Sequence, residues 1–410
     1  MNKMSVVIVG GGAAGISTAS SLLSRQSNIE ITIVDPAEYH YYQPGWTMVG
    51  GGIFTPEQTK RRMADVMPKH VKWIQKAVIA FEPSNNLIIL KDHTQVRYDA
   101  LVVCPGIELN WEGIEGLVET LGKNGVTSNY RYDLAPYTYK LVQSLKKGKA
   151  IFTQPPMPIK CAGAPQKAMY LSSDYWLRQQ VLKDIEVEFY NTGAALFGVQ
   201  AYVPALMEYV NKYDIKLNFS HQLVKVDGPR QRAWFKVVQS EDSKIIETSF
   251  DMLHVVPPQR APSFIRDSQL ADAAGWLDVN PKTLQHNNPA YANIFGLGDV
   301  TNTSNAKTAA AVRKQAPIVA VNVIQFLKGQ TTFAHYDGYG SCPLTVARGK
   351  VVLAEFTYGG VVNPSFPTWL LNGQRPTTLA WFLKAQAIPY IYWNGMLKGH
   401  EWLVKPTLAH

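Results

Sequence analysis

Val6-Val7-Ile8-Val9-Gly10-Gly11-Gly12-Ala13-Ala14-Gly15 is the stretch on which the fold turns. The β-branched run fits a strand buried on both faces, and a helical pattern follows the glycines through Leu23. Gly10, Gly12 and Gly15 match the spacing G-x-G-x-x-G. In that motif the first glycine permits a tight turn, the second lets backbone approach a pyrophosphate, and the third lets helix and strand pack closely. The amides at Ala13 and Ala14 then open a helix and point at the anion. A second run, Ile31-Thr32-Ile33-Val34, ends at Asp35. That is about 20 residues past the last glycine, where an acid holds adenosine ribose hydroxyls. Strand, glycine turn, helix, strand and acid in this order outweigh the alternative of a glycine-rich turn without a ligand. They read as a doubly wound α/β domain that binds a dinucleotide.

A chain of 410 residues has room for two or three such domains. Hydrophobic content of 46% with 17% charged residues excludes wholesale disorder. No low-complexity linker or short-period repeat interrupts the sequence. The net charge of +9 fits an anionic partner: a substrate, a lipid headgroup or nucleic acid. The basic residues are scattered and no nucleic-acid module is recognisable, which argues against the last. Three cysteines make neither a disulfide scaffold nor a zinc site, so no metal is expected. The N-terminus reads as having no signal peptide. No run reaches the roughly 18 apolar residues of a spanning helix, so any membrane contact is expected to be monotopic.

Segments beyond Asp35 favour FAD over NAD. Tyr39-His40-Tyr41-Tyr42-Gln43-Pro44 resembles the flavin-contacting segment of flavoproteins with two dinucleotide-binding domains. Val78 sits where those proteins place a backbone contact to adenine, and Leu101–Gly106 resembles their strand ending in Ala-Thr-Gly. Ile294-Phe295-Gly296-Leu297-Gly298-Asp299 resembles their second flavin motif, whose acid binds the ribityl chain. Lys307-Thr308-Ala309-Ala310 is expected to open a helix running to about Leu327, kinked at Pro317, with its N-terminus and Lys307 at the pyrimidine edge of the flavin. The FAD domain is therefore expected to be discontinuous, residues 1–110 and 278–330. Residues 111–277 form a second Rossmann-like domain and 331–410 a C-terminal region.

The middle domain lacks a second glycine motif. After the strand Lys149–Thr153 comes Gln154-Pro155-Pro156-Met157-Pro158-Ile159-Lys160-Cys161-Ala162-Gly163-Ala164-Pro165. Prolines remove amide donors from this segment. The next strand, Ile185–Tyr190, ends at Asn191 rather than an acid, which argues against a pyridine nucleotide. Cys161 stands there instead, just before a helix that Pro165 can open, between Lys160 and Lys167. A helix N-terminus and nearby cations favour a reactive thiolate. Cys342, in Tyr339-Gly340-Ser341-Cys342-Pro343-Leu344, reads as lying in a shaped turn, and Cys104 reads as structural.

The segments Tyr42–Thr47, Ile159–Lys167 and Tyr339–Leu344 resemble sulfide:quinone oxidoreductases of the two-cysteine branch that includes the mitochondrial enzyme. The resemblance extends over nearly the whole chain. It implies an FAD enzyme in which hydrogen sulfide opens a Cys161–Cys342 di- or trisulfide and two electrons pass through FAD to a membrane quinone. Sulfane sulfur leaves to an acceptor such as glutathione, sulfite or cyanide, or as polysulfide. It assigns the persulfide to Cys161 and attack on the flavin to Cys342, roles the sequence alone does not separate. It also implies a peripheral, monotopic protein. The lack of a transit peptide points to a trimmed chain or to a bacterial inner membrane, cytoplasmic face, with a homo-oligomer left open.

The tail fits this picture. Trp369, Trp381, Tyr390, Tyr392 and Trp393, interspersed with Lys384, Lys398 and Lys405, suit a headgroup layer, as two short amphipathic helices broken at Pro389. By resemblance, Pro343, Phe356, Tyr390 and Trp393 lie near the quinone. A dimer interface or core cap is the competing reading of the tail. The rival functions are a type II NADH:quinone dehydrogenase, a flavocytochrome sulfide dehydrogenase subunit and a persulfide sensor or carrier.

Overall fold

The computed structural model describes residues 3–238, 244–402 and 404–408. Two parallel five-stranded sheets organise the chain. The first runs Ile294–Gly296, Ala100–Val103, Met4–Val9, Ile29–Val34, Val71–Ile74. Val6 pairs with Ile31 and Ile8 with Ile33, so the β-branched run lies at the sheet centre, where Val6, Val7 and Ile8 are fully buried. The second runs Val126–Thr127, Met252–His254, Gly148–Gln154, Ile185–Asn191, Lys216–Phe219. Both are α/β sheets with helices against them, which bring the strand ends and helix starts to one side.

The segment order departs from the expected domain limits in one place. Gln259–Arg260 pairs with Glu108–Leu109, and Ala261, Ile265, Leu270 and Leu277 pack into the core of the first sheet. Residues from about 259 therefore pack with the first domain rather than the second. Pro257 and Pro258 supply the reason, since neither has an N–H to continue the second sheet.

The C-terminal region begins with an antiparallel hairpin, Gly340–Ala347 with Lys350–Phe356. Cys342 thus lies in a strand, paired with Ala354, and not in a turn. Two helices follow, Thr378–Phe382 and Ile388–Asn394, joined by a π-helical segment over Leu383–Ala387. Pro389 opens the second helix rather than breaking one, because the first turn needs no N–H from it. The end of the tail is fastened to the first helix, Ala13–Arg25: the Ser20 hydroxyl donates to the Leu397 carbonyl at 2.7 Å, and Arg25 pairs with Glu401 at 2.5 Å. Tyr392, Met396 and Leu397 pack into the first core. Part of the tail is therefore a core cap. Among the described residues no helix is long and apolar enough to cross a membrane.

Candidate functional site

A single cavity of about 550 Å³ runs from the first glycine loop to the C-terminal hairpin. Its near end shows what the glycines do. Gly10 has φ +108, and a Cβ there would meet the Cys104 carbonyl oxygen at 2.5 Å. At Gly15 a Cβ would lie 1.8 Å from the Gly10 carbonyl oxygen, so only glycine lets this turn close onto its helix. Gly12 differs: nothing lies within 4 Å of its Cβ position, which opens on the cavity. The helix starting at Ala13 has no side-chain cap, leaving its first N–H groups for an anion. Asp35 stands beside the loop, accepting from the Gly11 amide at 2.6 Å and the Ala37 amide at 2.7 Å. Burial pushes its carboxyl up from the ordinary value, and those amides oppose the shift.

Farther along, Gln43, Gly106, Asp299, Lys307, Thr308, Ala309 and Ala310 join Gly12, Ala13, Ala14 and Asp35 on the cavity wall. The downstream helix starts at Ala309, two residues later than read from sequence, because extended Thr308 caps it through its hydroxyl to the Ala311 amide at 3.2 Å. It runs unbroken through Pro317. The Lys307 ammonium does not aim at the cavity centre. It donates to the Thr301 carbonyl at 2.7 Å and lies 4.6 Å from the Trp276 ring centroid. Burial pulls it down to about 8 against the opposing pull of Asp299. The Trp46 indole N–H and the Asn129 side-chain amide line the same cavity without a hydrogen-bond partner among the described residues. Open backbone amides at one end, acids at two points and unpartnered polar groups between fit an extended dinucleotide such as FAD. In Gly12→Val the added Cβ meets no protein atom within 4 Å and the methyls enter the open position, so the chain is expected to fold and to lose FAD affinity roughly 10²-fold, the worth of one or two hydrogen bonds to a charged group. Flavin absorbance after gel filtration checks this; full wild-type flavin content would contradict it.

The cysteines meet at the cavity wall, Cys161 lining it and Cys342 behind. Cys161 and Cys342 are 181 positions apart in sequence and their Sγ atoms are 3.7 Å apart. The Cys161 backbone is held in a left-handed conformation, φ +49, which costs a non-glycine residue energy. Its N–H donates to the Lys307 carbonyl at 2.8 Å, and its carbonyl accepts from the Ala164 amide at 2.7 Å and the Tyr130 hydroxyl at 3.1 Å. Three contacts thus fix the strained turn ahead of the helix Ala164–Arg178. A Cβ at Gly163 would sit 2.4 Å from the Cys342 sulfur, so this glycine lets the hairpin strand approach.

Charge distinguishes the two thiols. The buried Lys167 ammonium lies 3.1 Å from Cys161 Sγ. The Cys342 hydrogen bond, then Lys167 and Lys384, hold the Cys161 thiol well below its usual range. Cys342 moves the other way, pushed up by its contact with Cys161 and by burial. Strand alternation explains why only one thiol faces the cavity. Ser341 and Pro343 line it, and Cys342 between them points to the opposite face. Cys161 lines it directly. Cys104 also touches the wall, but its sulfur faces the Gly10 carbonyl at 3.7 Å, and burial pushes its thiol far up.

Lys384 is the residue that sequence reasoning missed. Its place among tail aromatics read as a headgroup lysine. The structure buries it to 3% exposure and turns its ammonium to the Pro44 carbonyl at 3.2 Å. Burial and the nearby Lys167 charge pull it down to about 7. Lys398 and Lys405, by contrast, are exposed. Lys160, likewise on the wall, donates to the Gln43 side chain at 2.6 Å and is pulled down to about 8 by burial.

Of the residues assigned to a quinone, Pro343 alone lines the cavity. Phe356 turns away, for Leu353 and Glu355 face the cavity and its neighbour must point oppositely; it meets Phe197 with ring centroids 6.1 Å apart. Tyr390 is 63% exposed on the outer side of its helix, and Trp393 packs against Tyr392, His40 and Tyr42. Ile388, Ile391 and Tyr392 of that helix do line the cavity. Val78 lies in the first core rather than on the wall.

Comparison with known proteins agrees with this geometry. The model of the pyridine nucleotide-disulphide oxidoreductase family matches residues 4–147. The chain is 42% identical over 410 residues to the mitochondrial sulfide:quinone oxidoreductase of Dictyostelium discoideum, an alignment of 99% of this chain and 88% of the relative. It is 37% identical to the mitochondrial enzyme of Mus musculus, with 97% of this chain and 87% of the relative aligned. The fold superposes on the sulfide:quinone oxidoreductase structure from Aquifex aeolicus with a TM-score of 0.82 at 19% identity, covering 99% of this chain and 97% of that one. With a thiol pair in contact beside an FAD-shaped cavity and this likeness along its whole length, the chain belongs to the sulfide:quinone oxidoreductase family.

Proposed function

We propose that this protein oxidises sulfide at the Cys161–Cys342 pair and delivers the electrons to a quinone. The observation that carries the reading is the contact of the two sulfurs, with the Lys167 ammonium against Cys161, the one that lines the dinucleotide cavity. FAD, when bound, supplies a two-electron carrier between thiol chemistry and quinone. The rest falls to the chain's own residues. A sulfur–sulfur bond of about 2.05 Å, or one bridging sulfur, lies within reach of the two Sγ atoms after a small side-chain movement. Hydrosulfide attacks the Cys342 sulfur of the bridge, the old bond breaks, and Cys161 leaves as a thiolate. Cys342 is left carrying a persulfide. A thiol of lower pKa leaves faster, and Lys167 stabilises that charge at Cys161. This reverses the roles carried over by resemblance, because the cavity-facing, charge-stabilised sulfur is Cys161. The persulfide sulfur then passes to an acceptor thiol, sulfite or cyanide. Turnover of sulfide with a soluble quinone tests the reading; a flavin-loaded protein that turns over neither would contradict it.

The second sheet supports a donor other than NADH. Its strand Gly148–Gln154 runs into Pro155 and Pro156, which have no N–H to offer a pyrophosphate, and the neighbouring strand Ile185–Asn191 ends without an acid. This favours the family reading over a type II NADH dehydrogenase.

Membrane attachment through the tail is the remaining part of the proposal. Trp369 is 84% exposed, Phe382 57% and Tyr390 63%, and they lie on segments whose other residues, Phe366, Leu383 and Ile388, line the cavity. Exposed aromatics beside an apolar opening suit a surface at the lipid boundary, from which a quinone could enter. Changing Trp369, Phe382 and Tyr390 together to serine is expected to weaken liposome binding more than about tenfold, since each buried aromatic contributes roughly 1.5–3 kcal/mol. Flavin content and turnover with a short-chain quinone stay. Unchanged co-sedimentation with liposomes would contradict a membrane role for this surface.

A further inference from the structure

We propose that Glu355 carries a proton from solvent to the bound quinone, with Ser365 as its connection to the outside. The inference rests on the quinone reading above and adds the proton path to it. Glu355 is 4% exposed and lines the cavity beside Leu353, on the hairpin strand opposite the one that carries Cys342. Its carboxylate is held by hydroxyls and one backbone amide rather than by a lysine or arginine. The Tyr339 and Ser365 hydroxyls both reach Oε1 at 2.5 Å, and the Ser365 amide donates to Oε2 at 3.2 Å. Ser365 itself is exposed at the protein surface, yet it also lines the cavity. Ser365 thus lies between the protein surface and an otherwise buried carboxylate. A purely structural carboxylate needs no such opening.

Among the described residues no lysine or arginine forms an ion pair with Glu355, and Arg313 on the same wall feels its charge without pairing with it. The Tyr202 hydroxyl contacts only its backbone, donating to the Glu355 carbonyl at 2.8 Å and accepting from its amide at 3.0 Å. Burial and Glu355 keep the Tyr339 phenol protonated by raising its pKa. Arg313 is turned to the Trp402 carbonyl at 3.1 Å, and Lys314 lies over the Tyr339 ring at 5.1 Å. Lys384 is on the same wall, directed to Pro44. Reduction of a quinone to a quinol consumes two electrons and two protons. The electrons and one proton come with the reducing equivalents of the sulfide reaction. Glu355 gives the other proton to the carbonyl oxygen as reduction makes it basic, and takes a replacement from solvent through Ser365.

The test separates electron from proton delivery. Flavin-loaded enzyme is reduced with dithionite, so the outcome does not depend on sulfide chemistry, and reoxidised by a soluble quinone or by ferricyanide, which accepts electrons without protons. Glu355→Gln is expected to slow the quinone step about 10²-fold, the usual worth of a positioned general acid, and to flatten its pH dependence. Ferricyanide reoxidation stays at the wild-type rate, and Glu355→Asp restores part of the quinone rate. Equal slowing with both acceptors, or an unchanged quinone rate and pH profile, would overturn the proposal. Should Glu355→Gln not fold, Ser365→Ala keeps the carboxylate and is expected to slow the quinone step several-fold; an unchanged rate there overturns it as well. Wild-type enzyme that quinone does not reoxidise at all refutes the quinone reading itself, which is a different result.

Discussion

Cys161→Ser and Cys342→Ser are each expected to lower sulfide-dependent quinone reduction roughly 10³-fold or more, with FAD still bound. Neither thiol can form the bridge without the other, and their sulfurs are already in contact at 3.7 Å. The double variant is therefore expected to be no slower than either single one, the signature of residues that act as a unit. Serine is close in size to cysteine, so the strained turn at Cys161 and the strand at Cys342 keep their backbone contacts. Cys104→Ser is expected to keep most activity, because that sulfur faces the Gly10 carbonyl and not the pair. Steady-state rates with matched flavin content check all four proteins. A Cys342→Ser enzyme with near-normal turnover would contradict the bridge.

Lys167→Met is expected to have the next largest effect, and its sign follows from the direction of the shift. The Cys342 hydrogen bond and then Lys167 hold the Cys161 thiol low, so the thiolate persists as pH falls until its depressed pKa is reached. Without that ammonium the thiol pKa rises toward its ordinary value, and the acid limb of the pH–rate profile moves up. At a fixed pH below the new value, the thiolate fraction falls about tenfold for each unit of rise. Lys384→Met is expected to act more weakly. Lys384 titrates at about 7, so it contributes a full positive charge only below that pH, and the variant should converge on wild type in alkaline buffer. The pH dependence of iodoacetamide labelling at Cys161 measures both. A Lys167→Met profile that coincides with wild type would show that the ammonium does not set the thiolate.

How much of this was legible in the sequence depends on whether a feature is local. The glycine loop, Asp35 and the helix that Pro165 opens are short-range patterns, and each obeys steric and hydrogen-bonding rules readable within about thirty residues. Asp299 and Thr308 were readable from a second local motif, though Thr308 caps the helix instead of lying inside it. What sequence did not show are consequences of packing between distant segments. Lys384 looked like a surface lysine because aromatic and basic residues alternate around it, and only the fold of the tail against Pro44 buries it. Cys342 looked like a turn residue because glycine precedes and proline follows it; its pairing with Ala354 places it in a strand. Once that strand is known, alternation settles which neighbours face the cavity. Phe356 and Glu355 are adjacent, and a choice between them needed the register. The placement of residues 259–277 with the first core likewise depended on a pairing, Gln259 with Leu109, that no local pattern announces.

The glycine loop, Cys161 of the thiol pair and Glu355 of the hairpin all line one cavity. Sulfide, and not a pyridine nucleotide, is the proposed donor of electrons to the flavin. Anaerobic titration of the flavin-loaded wild-type protein tests it most directly. One equivalent of sulfide is expected to bleach the flavin absorbance, a soluble quinone then to restore it, and NADH to leave it unchanged; bleaching by NADH with no response to sulfide would contradict sulfide as the donor.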